Sequence, residues 1–553
     1  MNHSICNTIY NKVSSGTFLY WYAVVALLLP NIALCFTERL SFWAGAANVL
    51  LPLALYMWFF SVARCPGKMV WWAFLFVFFA AFQLVLLYLF GTGVIAVDMF
   101  LNLVTTNPGE VMELLDNLVP AVVGVFVIYL PLLILAVIHI RKKRKLSVSF
   151  QHHVRKWLME VGAIGLFCLL ACYVVVDDYR MRNQLYPVNV CYNLYLAFER
   201  NAASENYREV SRNFRFDARS GHDVEAPEVY VMVVGETARA HNFSLYGYPR
   251  NTNPLLSKTQ GIMAFPDATT QSNTTHRSVP MLLTAATADD HNRLYHEKGI
   301  LAAFGEAGFH TAFFSNQLPN HSYIDFLGEE AHDVRFIKKG KSAKLFYDVE
   351  LLPYVKSELA RGYRKLFIVL HMYGSHFNYR DRYARSRALF LPDTPTEAEP
   401  ANRPQLLNAY DNTIVETDYI LARLIDMLRG EHCAAALLYT SDHGENIFDD
   451  KRKLFLHASP KPSEYDTDVP LLLWTSPAYD RQNPAVVGNL RRNRHKGVES
   501  NASVFPTMLS MAGIKTKARV DSLSLTNPAY RLGVRYYLND HNHGVPLSAW
   551  GIK

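Results

Sequence analysis

Hydrophobic positions follow two regimes along the chain. Up to about residue 177 they run almost unbroken, with charges confined to short gaps; beyond it they come in short runs separated by mixed stretches. Five stretches of the first regime, 17–36, 42–62, 69–90, 118–138 and 157–176, each approach the roughly 20 apolar residues a helix needs to cross hydrocarbon. The first is too long for a cleaved leader and is followed by further spans, so it is expected to be retained. Arg64 and Lys68 lie between the second and third spans, and Arg141-Lys142-Lys143-Arg144-Lys145 between the fourth and fifth. Basic loops face the cytosol, so a cytosolic N-terminus satisfies both. An odd number of spans then delivers everything after residue 176 to the opposite face.

In the second regime, apolar and β-branched runs at 229–234, 310–314, 366–370, 434–439 and 469–474 alternate with helical patterns. Near-continuous apolar strands separated by helices predict a mainly parallel sheet covered on both faces. The expected architecture is an all-α bundle of five transmembrane helices, 1–177, a polar connector along the membrane surface, 178–226, and a soluble α/β domain, 227–553. In parallel sheets ligands collect at the carboxyl ends of the strands. Glu236, Asn316, His376, Asp442 and His443 each follow a predicted strand, and that shared position is the physical case for an active site.

Charge and cysteine usage narrow the picture. The formal charge is +7, part of it in the 141–145 run, which beside a long apolar stretch marks a membrane face rather than a nucleic-acid site. Of seven cysteines, five lie in the membrane half. Cys191 and Cys433 alone follow it, which leaves room for one disulfide at most.

Asp442 and His443 are adjacent in a Ser-Asp-His-Gly-Glu turn, and Glu236 ends an earlier strand. Two carboxylates with one imidazole suit Zn²⁺ or Mn²⁺, and the ligand types do not separate them. A hydroxyl beside such an ion is a candidate nucleophile. The run Thr269-Thr270-Gln271-Ser272-Asn273-Thr274-Thr275-His276 offers many hydroxyls and no basis for choosing among them; a Ser/Thr-rich helix cap reads equally well. Between the third and fourth spans Asn102, Thr106 and Glu110 recur at four-residue spacing, but Pro108 interrupts the helix that would align them, and spacing alone reads as a polar loop. His541-Asn542-His543 reads as a solvated turn.

Five segments in order carry a more specific signal. Gly235-Glu236-Thr237-Ala238-Arg239, Asn242-Phe243-Ser244-Leu245-Tyr246-Gly247-Tyr248, Arg250-Asn251-Thr252-Asn253-Pro254, Ser278-Val279-Pro280 and Ser441-Asp442-His443-Gly444-Glu445 resemble the signature of the lipid A phosphoethanolamine transferases, the alkaline-phosphatase-like family that includes colistin-resistance enzymes. The resemblance implies a Zn²⁺ held by Glu236, Thr275, Asp442 and His443, with Thr275 as the nucleophile and room for a second zinc. It sets His376 and His457 on the substrate phosphate or that second ion, and Asn316 near the phosphate. It also makes Asn102, Thr106 and Glu110 part of a donor-binding motif. The implied reaction takes phosphoethanolamine from phosphatidylethanolamine onto Thr275 and passes it to lipid A, lipopolysaccharide core or another glycan. The implied setting is the bacterial inner membrane, with the catalytic domain of a monomer in the periplasm.

Two departures stand out. Ser272-Asn273-Thr274 replaces the Cys-Gly-Thr usual before the nucleophile, and Asn320 and His321 stand where a lysine is expected after Asn316. They point to another branch, with the acceptor open. A phosphoglycerol transferase of the lipoteichoic-acid type shares fold and topology, but the Asn102/Thr106/Glu110 loop and Gly-Glu-Thr-Ala-Arg argue against it. A sulfatase needs a Cys/Ser-x-Pro-x-Arg context that Thr275 lacks. A catalytically dead scaffold would have lost a ligand or the nucleophile, and all four positions are intact.

Overall fold

The computed structural model describes residues 15–38, 40–105, 119–177, 179–222, 227–340 and 347–552. The chain forms two compact units, one holding the apolar helices and extending to Glu199, the other running from Arg200.

In the first unit, α1 (Gly16–Thr37), α2 (Phe42–Val62) and α7 (Val148–Val175) start where a serine, Ser15, Ser41 or Ser147, accepts a main-chain N–H of the first turn. Between them lie α3 (Pro66–Trp72), α4 (Phe74–Phe90), α5 (Val97–Thr105) and α6 (Val119–Arg141). Four helices are long and apolar enough to cross a membrane, and α3 with α4 makes a fifth span if the pair counts as one. The third predicted span is thus corrected: it is broken at Ala73 and bent by 65°. Hydropathy averages across such a break. The fifth begins nine residues early because its polar first turns are still helical; there Gln151 Nε2 donates to Ser61 O (2.9 Å).

Thr106 and Glu110 lie outside the described residues, as does the side chain of Asn102, whose backbone belongs to α5. The predicted connector is largely helical, with α8 at Val188–Glu205. Cys191 and Cys433 are both free thiols.

Buried amides join these helices. Asn31 Nδ2 donates to Asn48 O (2.7 Å) and Tyr186 O (2.8 Å), Asn48 Nδ2 donates to Asn31 O (3.1 Å), and Asn48 Oδ1 accepts Tyr186 N (3.1 Å).

The second unit is built on a seven-stranded sheet. Its strands are β1 (Glu228–Gly235), β2 (Ile262–Phe265), β3 (His310–Ser315), β4 (Asp333–Phe336), β5 (Lys365–His371), β6 (Ala434–Ser441) and β7 (Leu471–Thr475), in the spatial order β2-β7-β6-β1-β5-β3-β4. β6, β1, β5, β3 and β4 are mutually parallel, while β7 runs antiparallel to both its neighbours. β1 is buried along its whole length, and its alternating side chains feed two cores. Tyr230, Met232 and Val234 pack with Phe367, Leu438 and Phe505; Val229, Val231 and Val233 pack with Ile368, Leu437 and Leu421. Helices α9 (Thr275–Leu283), α10 (Arg403–Gly430) and α11 (Ser500–Met511) contribute to these layers.

Register carries the strand ends to one edge. Gly235 of β1 stands opposite Ser441 of β6, and Val234 opposite His371 of β5. Just beyond, Gly374 (φ +51°) lies so close to the main chain of Glu236 that a Cβ would come within 2.5 Å of its carbonyl oxygen.

Two outcomes follow. Gly374→Ala combines a disfavoured backbone region with that clash and is expected to cost more than about 2 kcal/mol of stability, read from the denaturant midpoint of the second unit. Asn48→Leu strands the Tyr186 N–H inside the helix bundle and removes the donor to Asn31 O, and is expected to cost about 1–3 kcal/mol, read as a lower melting temperature of the detergent-solubilised protein.

Candidate functional site

The site forms where β1 and β6 end side by side. Glu236 follows β1, Asp442 and His443 follow β6, and all three side chains are buried. Their ligand atoms lie within 4.8 Å of one another. His443 Nε2 stands 3.4 Å from Glu236 Oε1 and 3.3 Å from Asp442 Oδ2. His443 Nδ1 donates to Gly444 O (2.9 Å), so Nε2 turns its lone pair toward the carboxylates. Asp442 Oδ1 accepts the N–H groups of Thr237 (3.0 Å) and His443 (2.7 Å).

Thr275 is the first residue of α9, half-buried, with Oγ1 3.1 and 3.3 Å from the two Glu236 oxygens and 3.2 Å from His443 Nε2. The α9 N-terminus adds its partial positive charge at this point.

The electrostatics favour a cation. Burial, then the neighbouring Asp442 charge, pushes the Glu236 carboxyl up to about 8, and burial pushes Asp442 up to about 7. Two buried carboxylates this close resist ionising together, and a divalent ion removes the conflict. Two carboxylates and an unprotonated imidazole nitrogen facing one point fit a zinc ligand set. A second group of candidate ligands, His310, Asp333 and Glu358, differs: Arg361 Nη1 sits 2.8 Å from Asp333 and 3.5 Å from Glu358 and supplies the compensating charge itself.

His457 lies against His443, with ring centroids 4.2 Å apart, and His376 lies 6.1 Å from His457. Burial lowers both histidines, His376 to about 3. Each has a main-chain or carboxylate oxygen at Nδ1: Phe377 O at 2.6 Å from His376, and Glu445 Oε1 at 3.2 Å from His457. At His376 the partner is a carbonyl, which only accepts, so Nδ1 carries the proton and Nε2 the lone pair. Asn316 Nδ2 donates to Asp348 Oδ1 (2.8 Å), and it is the next residue, Gln317, that reaches Glu236 Oε2 (3.2 Å).

The sequence signature turns out to be largely scaffolding. Arg239 is buried and bonds Asp449 (2.6 Å), Glu445 O (2.9 Å) and Asn242 (2.5 Å), tying the Glu236 turn to the Asp442 turn. Asn242, Tyr248 and Arg250 converge on Asp411 of α10, at 2.6, 2.9 and 2.6 Å. Ser278 Oγ donates to Asp442 O (2.6 Å). Thr237 holds a left-handed conformation (φ +62°), and its carbonyl accepts the Tyr410 hydroxyl (2.7 Å).

Gln317 and Asp348 were missed in the sequence. Asp348 receives the N–H groups of Tyr373 and Gly374 at 2.8 Å and so braces Glu236 from below. No local pattern marks either residue. The turn at His541-Asn542-His543 is capped by Asn539 Oδ1, which accepts the N–H groups of both histidines (2.9 and 3.0 Å).

The chain is similar to several known proteins. The EptA phosphoethanolamine transferase of Escherichia coli K12 is 30% identical over 296 residues, covering 52% of this chain and 53% of that protein. The Kdo(2)-lipid A phosphoethanolamine 7''-transferase of the same organism is 28% identical over 328 residues, covering 56% and 54%. The chain thus spans about half the length of the curated relatives it matches. Among solved structures, the membrane lipooligosaccharide phosphoethanolamine transferase A of Neisseria meningitidis shares the fold over 92% of this chain and 98% of its own, with TM-score 0.71 and 20% identity. The periplasmic domain of Escherichia coli EptC, solved in complex with zinc, covers 60% of this chain and 95% of its own, with TM-score 0.55 and 22% identity. Residues 228–514, more than half of the chain and holding every residue of the site just described, match the sulfatase family model, and the protein belongs to that family.

Proposed function

We propose that this protein is a phosphoethanolamine transferase of the bacterial inner membrane. It takes the headgroup of phosphatidylethanolamine onto Thr275 and passes it to an envelope glycan, lipid A or lipopolysaccharide core, on the periplasmic side. The observation that carries the reading is a single hydroxyl, Thr275 Oγ1, at a helix N-terminus within 3.3 Å of both Glu236 oxygens and His443 Nε2. The curated relatives named as phosphoethanolamine transferases, one of them acting on Kdo(2)-lipid A, and the zinc in the EptC domain support it.

Glu236, Thr275, Asp442 and His443 would hold Zn²⁺, whose Lewis acidity favours the alkoxide form of a hydroxyl and offsets charge on phosphoryl oxygens. In the first displacement Thr275 gives up its hydroxyl proton. Its Oγ1 forms a bond to phosphorus, the bond to the diacylglycerol oxygen breaks, and that oxygen leaves with a proton. In the second, an acceptor oxygen bonds to phosphorus as it loses its proton, and Thr275 leaves and recovers one. The α9 N–H groups face negative charge developing at the phosphate. His376 and His457, held neutral by burial, would lie beside the substrate phosphate or hold a second zinc ion through Nε2, while the protons exchange with solvent. Asn316 and Gln317 would line the phosphate pocket, and Asn102, Thr106 and Glu110 the donor site. Placing an ethanolammonium on an anionic sugar phosphate would weaken attraction for cationic peptides.

Intact mass tests the reading. Zinc-replete full-length protein in phosphatidylethanolamine vesicles is expected to gain about 123 Da, the phosphoethanolamine ester of covalent catalysis. Thr275→Ala, or removal of zinc with a chelator, should abolish the gain. A glycerophosphate-sized gain from phosphatidylglycerol would transfer the protein to the lipoteichoic-acid type. No gain from either lipid would sink the covalent mechanism.

A further inference from the structure

Resting on the reading of Thr275 as nucleophile, we propose that Asn273 and Tyr537 form a clamp that sets the spacing between the Thr275 loop and the His457 loop. Both are positioning residues for phosphoryl transfer. Asn273 stands two residues before Thr275, is buried, and bonds in several directions at once. Its Nδ2 donates to Ser459 O (3.0 Å) and Asp466 Oδ2 (3.2 Å), its Oδ1 accepts the Tyr537 hydroxyl (2.6 Å), and its carbonyl accepts Ala458 N (3.2 Å).

Those partners frame His457. Ala458 and Ser459 directly follow it. Asp466 Oδ2 also receives Asn446 Nδ2 (3.2 Å), which donates in turn to Leu456 O (2.9 Å), on the residue before His457. Leu456 (φ +64°) and Ala458 (φ +61°) are both left-handed. A loop so strained on either side of its functional residue holds its shape through its partners, and Asn273 contacts one flank directly and the other through Asp466 and Asn446.

Tyr537 comes from the far end of the chain, in a hairpin of Tyr536–Leu538 paired with Gly544–Pro546. The hairpin grips the nucleophile segment on both sides. Leu538 N donates to Gln271 O (2.8 Å), and Arg277 in α9 donates to Asn539 O (2.7 Å) and Asp540 O (3.1 Å). The Tyr537 hydroxyl completes this grip at Asn273. A shift of about 1 Å at a reacting atom costs on the order of a hundredfold in rate, far more than one hydroxyl adds to folding. The clamp therefore acts on rate before it acts on stability.

The test is single-turnover formation of the Thr275 adduct, followed by intact mass, in zinc-replete full-length protein with phosphatidylethanolamine vesicles. The variants are Tyr537→Phe, Asn273→Ala and the pair combined. Tyr537→Phe is expected to form the adduct about tenfold more slowly, at full amplitude, with unchanged KM for the lipid and a melting temperature lowered only by the loss of one hydrogen bond. Asn273→Ala should be slower still, and Tyr537→Phe should then add no further loss, because both act through one hub. A wild-type rate constant in Tyr537→Phe overturns the clamp. So does reduced amplitude at an unchanged rate constant, the mark of a misfolded fraction, and so do losses that multiply in the double variant. Should Asn273→Ala fail to fold, the rate constant and amplitude of Tyr537→Phe decide alone. Absence of the adduct in wild type would instead remove the Thr275 reading on which the clamp rests.

Discussion

Glu236 and Asp442 are carboxyl groups brought together out of reach of water, and their neighbours in the second unit keep them there. They end adjacent parallel strands whose register sets Gly235 against Ser441. Main-chain N–H groups on one Asp442 oxygen, Tyr410 on the Thr237 carbonyl and Asp348 beneath the Gly374 turn hold the two chain ends against their mutual repulsion. Unbalanced, such a pair is a liability, because desolvation and like charge act in the same direction. The imidazole of His443 and the hydroxyl of Thr275 add donor atoms but no compensating charge. The fold thus stores an electrostatic demand that a divalent cation would meet.

Much of this was legible in the sequence, for reasons that differ by element. β1, β3, β5 and β6 are central and buried on both faces, so each appears as an unbroken apolar run. β2 and β4 lie at the sheet edges and are four residues long, Ile-Met-Ala-Phe and Asp-Val-Arg-Phe, too short and mixed to stand out. β7 was visible as a run, but an apolar run carries no direction, and its antiparallel orientation comes only from pairing. The α3–α4 break left no trace because hydropathy is the same on either side of Ala73.

The site divides in the same way. Glu236, Asp442 and His443 could be found from their place after strands. Thr275 could not be singled out among its neighbouring hydroxyls without the family resemblance; in three dimensions it is the one at α9's first position facing Glu236. Gln317 and Asp348 act across long sequence separations, and nothing near them announces it. The converse also holds. Asn242, Tyr248 and Arg250 stand out as a polar signature, yet they meet at Asp411 and serve to hold the Glu236 turn. A motif rich in reactive-looking side chains can be a brace.

The central position of β1 bears on how the unit is made. Its sequence emerges first among the seven strands, but its two sheet neighbours, starting at Lys365 and Ala434, come much later in the chain. Until they arrive, a strand with two adhesive faces and two unpaired edges has no native partner. Pairings of such high sequence separation form slowly and leave apolar side chains exposed meanwhile. The pace of folding in this unit is therefore set by pairings between segments far apart in sequence.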